Sequence, residues 1–384
     1  MSSPEPAATT EPPLLQIADL TVDFSTDDGV VHAVAGVDLE VSAGEILAIV
    51  GESGSGKSVT ALSILQLVQG KRTRTGGGIL LKGEDLTQAS PARLRQVRGG
   101  EVGMIFQDPM TALNPVMTIG AQLVEGIRLH NRQISKADAL ARSRDLLAVV
   151  GVANAEQRLK QYPHEFSGGM RQRAMIAMAI SNDPDLIIAD EPTTALDVTI
   201  QAQVLAQIKK AQTETGAATI LITHDLGVVA ELADRVAVMY AGRVVETAPV
   251  GDLFHQPRHP YTMGLLSSLP SLDSDAQRLH PIPGSPPDVT QDFDACPFVP
   301  RCPLAVDACT QGVPPLVTVA DNHQAACVRT DDLVGQRPED VFVRTVVVED
   351  EQSALEEPTG TSASTGTSAS TATSASTAKS GGAA

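Results

Sequence analysis

Residues 51–58 read Gly51-Glu52-Ser53-Gly54-Ser55-Gly56-Lys57-Ser58, a glycine-rich loop that ends in a lysine and a hydroxyl. An apolar run, Ile46–Val50, precedes it and a helical pattern, Val59–Val68, follows. Strand, glycine loop and helix in that order fit the G-x-x-x-x-G-K-[ST] pattern that cradles a polyphosphate. Gly51, Gly54 and Gly56 let the backbone close round an anion, so that successive N–H groups, those of Ser53 and Ser55 included, point inward. The helix presents its positive end to the same anion. Lys57 reaches the β- and γ-phosphates of a nucleoside triphosphate, and the Ser58 hydroxyl ligates Mg²⁺. Further on, Leu186-Ile187-Ile188-Ala189-Asp190-Glu191 is an apolar strand ending in two carboxylates. Alternation along a strand aims the two in different directions. One of them can then help hold Mg²⁺, directly or through water, and the other can polarise a water beside the γ-phosphate. An acidic turn after a strand is common by itself; the phosphate loop upstream makes this pair a candidate site.

The elements that must position these groups alternate. Strands are expected at Leu15–Phe24, Glu45–Val50, Glu101–Phe106, Leu186–Ala189, Thr219–Thr223 and Arg235–Tyr240, with helical patterns between them. That order implies an α/β fold with a largely parallel sheet covered on both faces. Residues 110–165 hold no convincing strand; Ala121–Leu129 and Lys136–Val150 carry a helical Leu/Val/Ala spacing. A helical subdomain inserted at about 110–180 is expected. After Ala248 the chain turns proline-rich and contains all four cysteines, which reads as a small, irregular C-terminal domain over 249–330. Residues 1–13 read as a disordered lead. Residues 331–384 read as an acidic linker and a Ser/Thr/Ala tail of low complexity.

A chain of 384 residues has room for two domains and a tail. Its net charge of −18 opposes non-specific nucleic-acid binding, which needs a basic surface. The absence of Trp and an aromatic content of 3% oppose a base-stacking reader. No run of eighteen apolar residues is present, so no bilayer-spanning helix is expected. The first residues lack the basic-then-apolar order of a secretory signal. A cytoplasmic location is expected, with membrane contact only through protein partners, and there four cysteines are not expected to form disulfides.

Taken in order, the motifs resemble those of the ATP-binding subunits of ABC transporters, over about Leu14 to Ala248. Gln107 matches the Q-loop glutamine, and Phe166-Ser167-Gly168-Gly169-Met170 resembles the Leu-Ser-Gly-Gly-Gln signature, departing from it at Phe166 and Met170. Ala195-Leu196-Asp197 matches the D-loop and His224 the switch histidine. Phe24 stands where the family places an aromatic against adenine. The resemblance implies a P-loop NTPase core of parallel sheet, an N-terminal antiparallel β subdomain and the helical insert. It implies Mg²⁺·ATP held by the loop, Ser58, Asp190 and Gln107, with hydrolysis assisted by Glu191, His224 and Gln107. Ser167, Gly168 and Gly169 would cap the γ-phosphate bound by a second ATP-binding subunit, so two such subunits pair head to tail. Asp197 would shape that contact.

Beyond the core, Leu253–Thr262, Pro281–Pro287 and Cys296–Pro303 resemble the C-terminal extension of ATPases in the oligopeptide/dipeptide importer family, as does Gln107–Pro115 after the Q-loop. That resemblance implies two membrane-spanning permease subunits, an extracellular solute-binding protein and a peripheral place on the cytoplasmic face of the membrane. Relatives import peptides, nickel complexes, glutathione and other solutes, so the cargo stays open. Cys296, Cys302, Cys309 and Cys327 lie within 32 residues. Four thiolates so placed suit Zn²⁺ or an iron–sulfur cluster, and free thiols are the plain alternative. Their spacing departs from a common zinc ribbon; the similar extension in some peptide-importer ATPases is associated with a [4Fe–4S] cluster. The competing class is an ABC ATPase acting on DNA or ribosomes. Such proteins carry two cassettes or a long coiled coil, whereas this chain has one cassette and no sustained heptad run. A non-catalytic module that only binds ATP is opposed by the presence of Glu191 and His224.

Overall fold

The computed structural model describes residues 12–193, 198–268, 282–338 and 340–342. The Ala195–Asp197 motif, most of the lead and the tail lie outside them. In chain order the elements are β1 (Leu15–Thr26), β2 (Gly29–Val41), β3 (Ile46–Val50), α1 (Lys57–Ile64), β4 (Thr73–Leu81), β5 (Glu84–Asp85), α2 (Pro91–Val97) and β6 (Val102–Ile105). Five helices follow: α3 (Pro109–Ala112), α4 (Ile119–His130), α5 (Lys136–Val149), α6 (Ala155–Arg158) and α7 (Gly168–Ala179). Then come β7 (Leu186–Asp190), α8 (Val198–Thr215), β8 (Ala218–Ile222), α9 (Leu226–Leu232), β9 (Arg235–Tyr240), β10 (Arg243–Pro249), α10 (Val250–His255), α11 (Pro260–Ser267), β11 (Val317–Ala320) and β12 (His323–Ala325).

The strands form two sheets. One is antiparallel, in the order β2-β1-β4-β5; the other has eight strands in the order β11-β12-β10-β9-β3-β8-β7-β6. From β9 to β6 the second sheet is parallel. Every residue of β3, β7 and β8 is buried, as a sheet covered on both faces requires. Alternate side chains feed two cores. Leu47, Ile49, Ile188, Ile220 and Met239 pack with Leu15, Val22 and Ile79 of the antiparallel sheet and with Ile64 of α1. Ile46, Ala48, Val50, Ile187 and Val238 pack with Leu123, Leu147 and Ile176 of the helical insert.

Local chemistry sets the insert's helices. Thr118 caps α4 by accepting from the Ala121 N–H, and Ser135 caps α5 by accepting from Asp138. Ile119, Leu123 and Ile127 recur at four-residue spacing and supply the buried stripe of α4.

The segment after Pro249 is tied into the main sheet. Its strand β12 pairs antiparallel with β10, Glu246 opposite Ala325 and Thr247 opposite Gln324. Tyr261, Met263, Phe298, Leu333 and Phe342 join the same core as the helical insert. The Tyr261 ring centroid lies 4.5 Å from that of Tyr240 in β9 and 5.4 Å from that of Phe298. No helix of the described residues is long and apolar enough to cross a membrane.

Candidate nucleotide site

Four neighbouring parallel strands end at the site. The loop 51–56 leaves β3, Asp190 closes β7 and Glu191 follows it, Thr223 and His224 follow β8, and Gln107 lies just beyond β6. Open α/β sheets place ligands at the carboxyl ends of their strands. The loop's conformation needs glycine at two points for two reasons each. At Gly51 φ is +151°, and a Cβ would stand 2.2 Å from the Met239 carbonyl oxygen. At Gly56 φ is +99°, and a Cβ would stand 2.4 Å from the Ala33 carbonyl oxygen. Gly56 is also the N-cap of α1 and offers no side chain, so the first N–H groups of the helix have no side-chain cap and stay available to an anion.

Lys57 is buried, and its Nζ donates to the carbonyls of Gly51 and Glu52, each at 2.8 Å. Burial lowers its pKa, opposed by Glu191, Asp190 and Glu52 in that order. Nζ also reaches Ser55 Oγ at 3.5 Å, and an ammonium that gives up only neutral oxygens to meet an anion is well placed to receive a phosphate. Ser58 Oγ donates to Asp190 Oδ1 at 2.9 Å. Burial raises the Asp190 pKa; the Ser58 hydrogen bond lowers it, Glu191 raises it and Lys57 lowers it. The two expected metal ligands therefore touch, and a divalent cation beside them would relieve the carboxylate's desolvation.

Glu191 receives Gln107 Nε2 on Oε2 at 2.9 Å, while Nδ1 of His224 lies 3.8 Å from Oε1. The Glu191 backbone has φ +44°, and its N–H donates to Ile222 O at 3.0 Å. A non-glycine residue in the left-handed region carries strain, and such residues cluster at functional sites. His224 is two-thirds exposed, so its imidazole is free to approach an incoming group. Lys57, Ser58, Asp190, Glu191, Gln107 and His224, far apart in the chain, thus form one constellation.

Other expected residues stand elsewhere. Ser167 caps α7, with Oγ accepting from the Met170 N–H at 3.4 Å, and Gly168 opens the helix. Among the described residues no hydrogen bond or ion pair joins Ser167, Gly168 or Gly169 to the phosphate loop. Phe24 lies half-buried near the end of β1, opposite Val31 and Thr73, against the core of the antiparallel sheet.

The four cysteines line one small apolar cavity together with His259, Phe298 and Leu304. None is disulfide-bonded. Burial pushes the Cys302 thiol up to about 12 and that of Cys327 up to about 11; their neighbouring cysteines push the same way. Backbone N–H groups point at the sulfurs: Arg329 N–H at Cys327 Sγ, 3.3 Å away, Leu304 N–H at Cys302 and Phe298 N–H at Cys296. Such a donor set suits a soft cation, which would reverse the mutual repulsion. Among the described residues, as they stand, no three His, Cys, Asp or Glu side chains are close enough together to hold a metal ion.

Sequence reasoning missed Glu52, Tyr261 and Arg301, which the fold joins at the outer side of the loop. Arg301 donates to both carboxylate oxygens of Glu52, at 2.7 and 2.9 Å. Only the unusual position of an arginine inside the cysteine segment could have flagged it.

Comparison with known proteins places these features. A family model described as ABC transporter matches residues 34–194, and one described as oligopeptide/dipeptide transporter, C-terminal region, matches residues 245–309. The probable peptide ABC transporter ATP-binding protein of Sinorhizobium fredii is 50% identical over 323 residues, covering 84% of this chain and 96% of the relative. The dipeptide transport ATP-binding protein of Bacillus subtilis is 50% identical over 315 residues, 82% of this chain and 94% of the relative. The oligopeptide transport ATP-binding protein of Mycobacterium bovis is 49% identical over 331 residues, and the chain spans only 54% of that relative's length. Among solved structures, the ATP-binding cassette MJ0796, a dimer in a post-hydrolysis state bound to ADP and Pi, aligns with a TM-score of 0.56 at 25% identity, over 62% of this chain and 98% of its own.

Proposed function

The chain belongs to the family of ATP-binding subunits of ABC transporters, in its oligopeptide and dipeptide branch, and from that premise we propose that it hydrolyses Mg²⁺·ATP to power import of oligopeptides or dipeptides across the cell membrane. The observation that carries this reading is the convergence of Lys57, Ser58, Asp190, Glu191, Gln107 and His224 at the ends of four adjacent strands.

The residues divide the work. The backbone of Gly51–Gly56 and the start of α1 receive the phosphates, and Lys57 exchanges its carbonyl partners for phosphate oxygens. Ser58 and Asp190, with Gln107 near them, would hold Mg²⁺, which when bound neutralises charge on the β- and γ-phosphates. Glu191 orients and deprotonates the attacking water, held in place by Gln107. His224 bonds the γ-phosphate from the solvent side. Phe24 stacks on adenine. Ser167, Gly168 and Gly169 cap the nucleotide held by a second ATP-binding subunit, a copy of this chain or a related one, so each catalytic site is shared. The ATPase domain spans 14–248 and the C-terminal domain 249–330. The complex adds two membrane-spanning permease subunits, docked on the helical insert, and an extracellular solute-binding protein. The chain itself sits peripherally on the cytoplasmic face.

Glu191→Gln tests the site: ATP binding should survive and turnover should fall about 10²-fold or more. Turnover near that of the parent would sink the assignment. The complex is tested by isolating the chain from detergent-treated membranes; recovery of two polytopic proteins supports the importer, and ribosomal or DNA-associated proteins instead would overturn it.

We further propose that the four cysteines hold a [4Fe–4S] cluster or, failing that, zinc. The shared cavity and the backbone N–H groups directed at three sulfurs support this, and the proposal requires the thiols to draw closer than they stand here, since no three are within reach of one metal ion. Iron and acid-labile sulfide in anaerobically purified chain would establish the cluster; equimolar zinc would establish the alternative, and neither metal would leave four thiols.

A further inference from the structure

Glu52 is the second residue of the phosphate loop, at a place where the loop pattern admits any residue. Here it is gripped from outside by two side chains of the segment beyond Pro249. Its N–H donates to Tyr261 Oη at 2.8 Å. Its carboxylate takes Arg301 Nη1 on Oε2 at 2.7 Å and Nη2 on Oε1 at 2.9 Å, a bidentate pair.

Both grips are themselves fixed. Tyr261 is fully buried between the rings of Tyr240 and Phe298. Arg301 is 6% exposed; its Nε donates to Pro283 O at 2.9 Å, and its guanidinium lies 5.9 Å from the Tyr240 ring centroid. It is carried on the short turn Val299–Arg301, in which the Val299 N–H donates to Cys296 O at 3.1 Å and the Cys302 N–H donates to Val299 O at 3.2 Å. From inside the loop, Lys57 Nζ holds the Glu52 carbonyl at 2.8 Å. The N–H, carboxylate and carbonyl of one residue are therefore all engaged, two of them by the C-terminal segment and one by the lysine that must meet the phosphate.

We propose that Arg301 and Tyr261 are positioning residues for ATP, acting through Glu52 to hold the phosphate loop in its receiving shape. When Lys57 leaves the Glu52 carbonyl for a phosphate oxygen, the two outer grips keep the peptide from following it. The loop then offers preformed N–H groups, and ordering it does not draw on the binding free energy. Loss of either grip weakens ATP binding and leaves the bond-breaking step, which Glu191 serves, largely untouched. The inference rests on reading residues 51–58 as the ATP site.

The test measures ATP affinity of the full-length chain by titration with a fluorescent ATP analogue, and KM and kcat for ATP in its transporter complex. Tyr261→Phe keeps the ring packing and removes the acceptor of the Glu52 N–H. Arg301→Gln and Glu52→Gln each break the bidentate pair, and Arg301→Lys keeps the charge without the fork. Each single change should weaken ATP binding and raise KM roughly tenfold, the scale of a buried donor or charge left unmatched, with kcat within about threefold. The Glu52→Gln/Arg301→Gln double variant should be no worse than its worse single, because both act through one contact. Should Arg301→Gln fail to fold, Tyr261→Phe decides. Affinity and KM within twofold of the parent in folded Tyr261→Phe overturn the proposal, as does a double variant whose loss multiplies those of the singles. Lys57→Ala separates this from the site reading: if it binds ATP as the parent does, the site itself is wrong. If it abolishes binding while the grip variants are neutral, only the positioning role fails.

Discussion

Replacing Glu246 should unpin the C-terminal segment from the sheet. This glutamate of β10 is 0% exposed. Its Oε1 accepts from the Arg258 N–H at 2.6 Å and from His323 Nε2 at 2.8 Å, and its Oε2 accepts from the His259 N–H at 3.0 Å. One side chain thus holds the start of α11 and the hairpin strand β12 against β10. Glu246→Ala leaves three buried donors without an acceptor, at about 1–3 kcal/mol each before the site relaxes. Removing one member of a buried pair costs about 3–5 kcal/mol. Allowing for relaxation, the two routes agree on about 3–5 kcal/mol. Glu246→Gln keeps one acceptor oxygen but turns an NH₂ group toward one of the donors, so about 1–3 kcal/mol is expected. Against a total stability of about 5–15 kcal/mol the alanine change is severe. Equilibrium urea unfolding gives the loss from the midpoint shift, and hydrogen exchange at residues 258, 259 and 323–326 gives its location. The reasoning is refuted if Glu246→Ala stays within about 1 kcal/mol of the parent, since no buried donor could then have lost a partner.

Other outcomes follow from single contacts. Burial lowers the His259 pKa to about 3 from an ordinary 6.5, and its neutral Nδ1 accepts from the Tyr261 N–H at 3.0 Å. Between those values the unfolded chain binds a proton that the folded one refuses, so stability falls as pH drops from 6.5 toward 3. His259→Asn, which keeps an acceptor, should flatten that fall by about 1.4 kcal/mol per pH unit in acid urea titrations. Gly51→Ala would drive a Cβ to 2.2 Å from the Met239 carbonyl and should abolish nucleotide binding, read by the same analogue titration. Asp190→Asn should raise the Mg²⁺ concentration for half-maximal hydrolysis at least about tenfold, because a neutral amide is a poor ligand for a hard cation; an unchanged requirement would remove Asp190 from the metal.

What the sequence disclosed depended on how local the constraint is. The loop 51–58 and the Asp190–Glu191 pair were legible because phosphate chemistry favours particular residue types beside particular strands, whereas Gln107 and His224 were picked out only by the family resemblance. The parallel strands were legible as apolar runs, since both their faces are covered. Strand β4 was not, because Gly76-Gly77-Gly78 interrupts its pattern. The structure shows why: at Gly77, with φ +84°, a Cβ would stand 2.3 Å from the Asp19 carbonyl oxygen in an irregular stretch of β1. Strands β2 and β10 were passed over because their alternation is broken by Gly36 and ends at Pro249. The contacts of Glu52 with Tyr261 and Arg301 span 209 and 249 residues. No local pattern announces a pairing at that distance.

The hairpin of β11 and β12 also closes a border. Without it, β10 would present a row of unpaired backbone donors and acceptors, the kind of edge along which chains associate. The hairpin meets β10 at only two register positions, and β11, short and offset by a register shift, becomes the new border. During synthesis β10 precedes its cover by about seventy residues, which at about 5–20 residues per second leaves the edge open for several seconds. A fragment ending at the ATPase core, the natural choice for a minimal cassette, keeps that edge open for good. Such fragments should associate through the β10 edge in proportion to concentration and without need of ATP, while the chain that includes residues 317–325 should not form that edge contact.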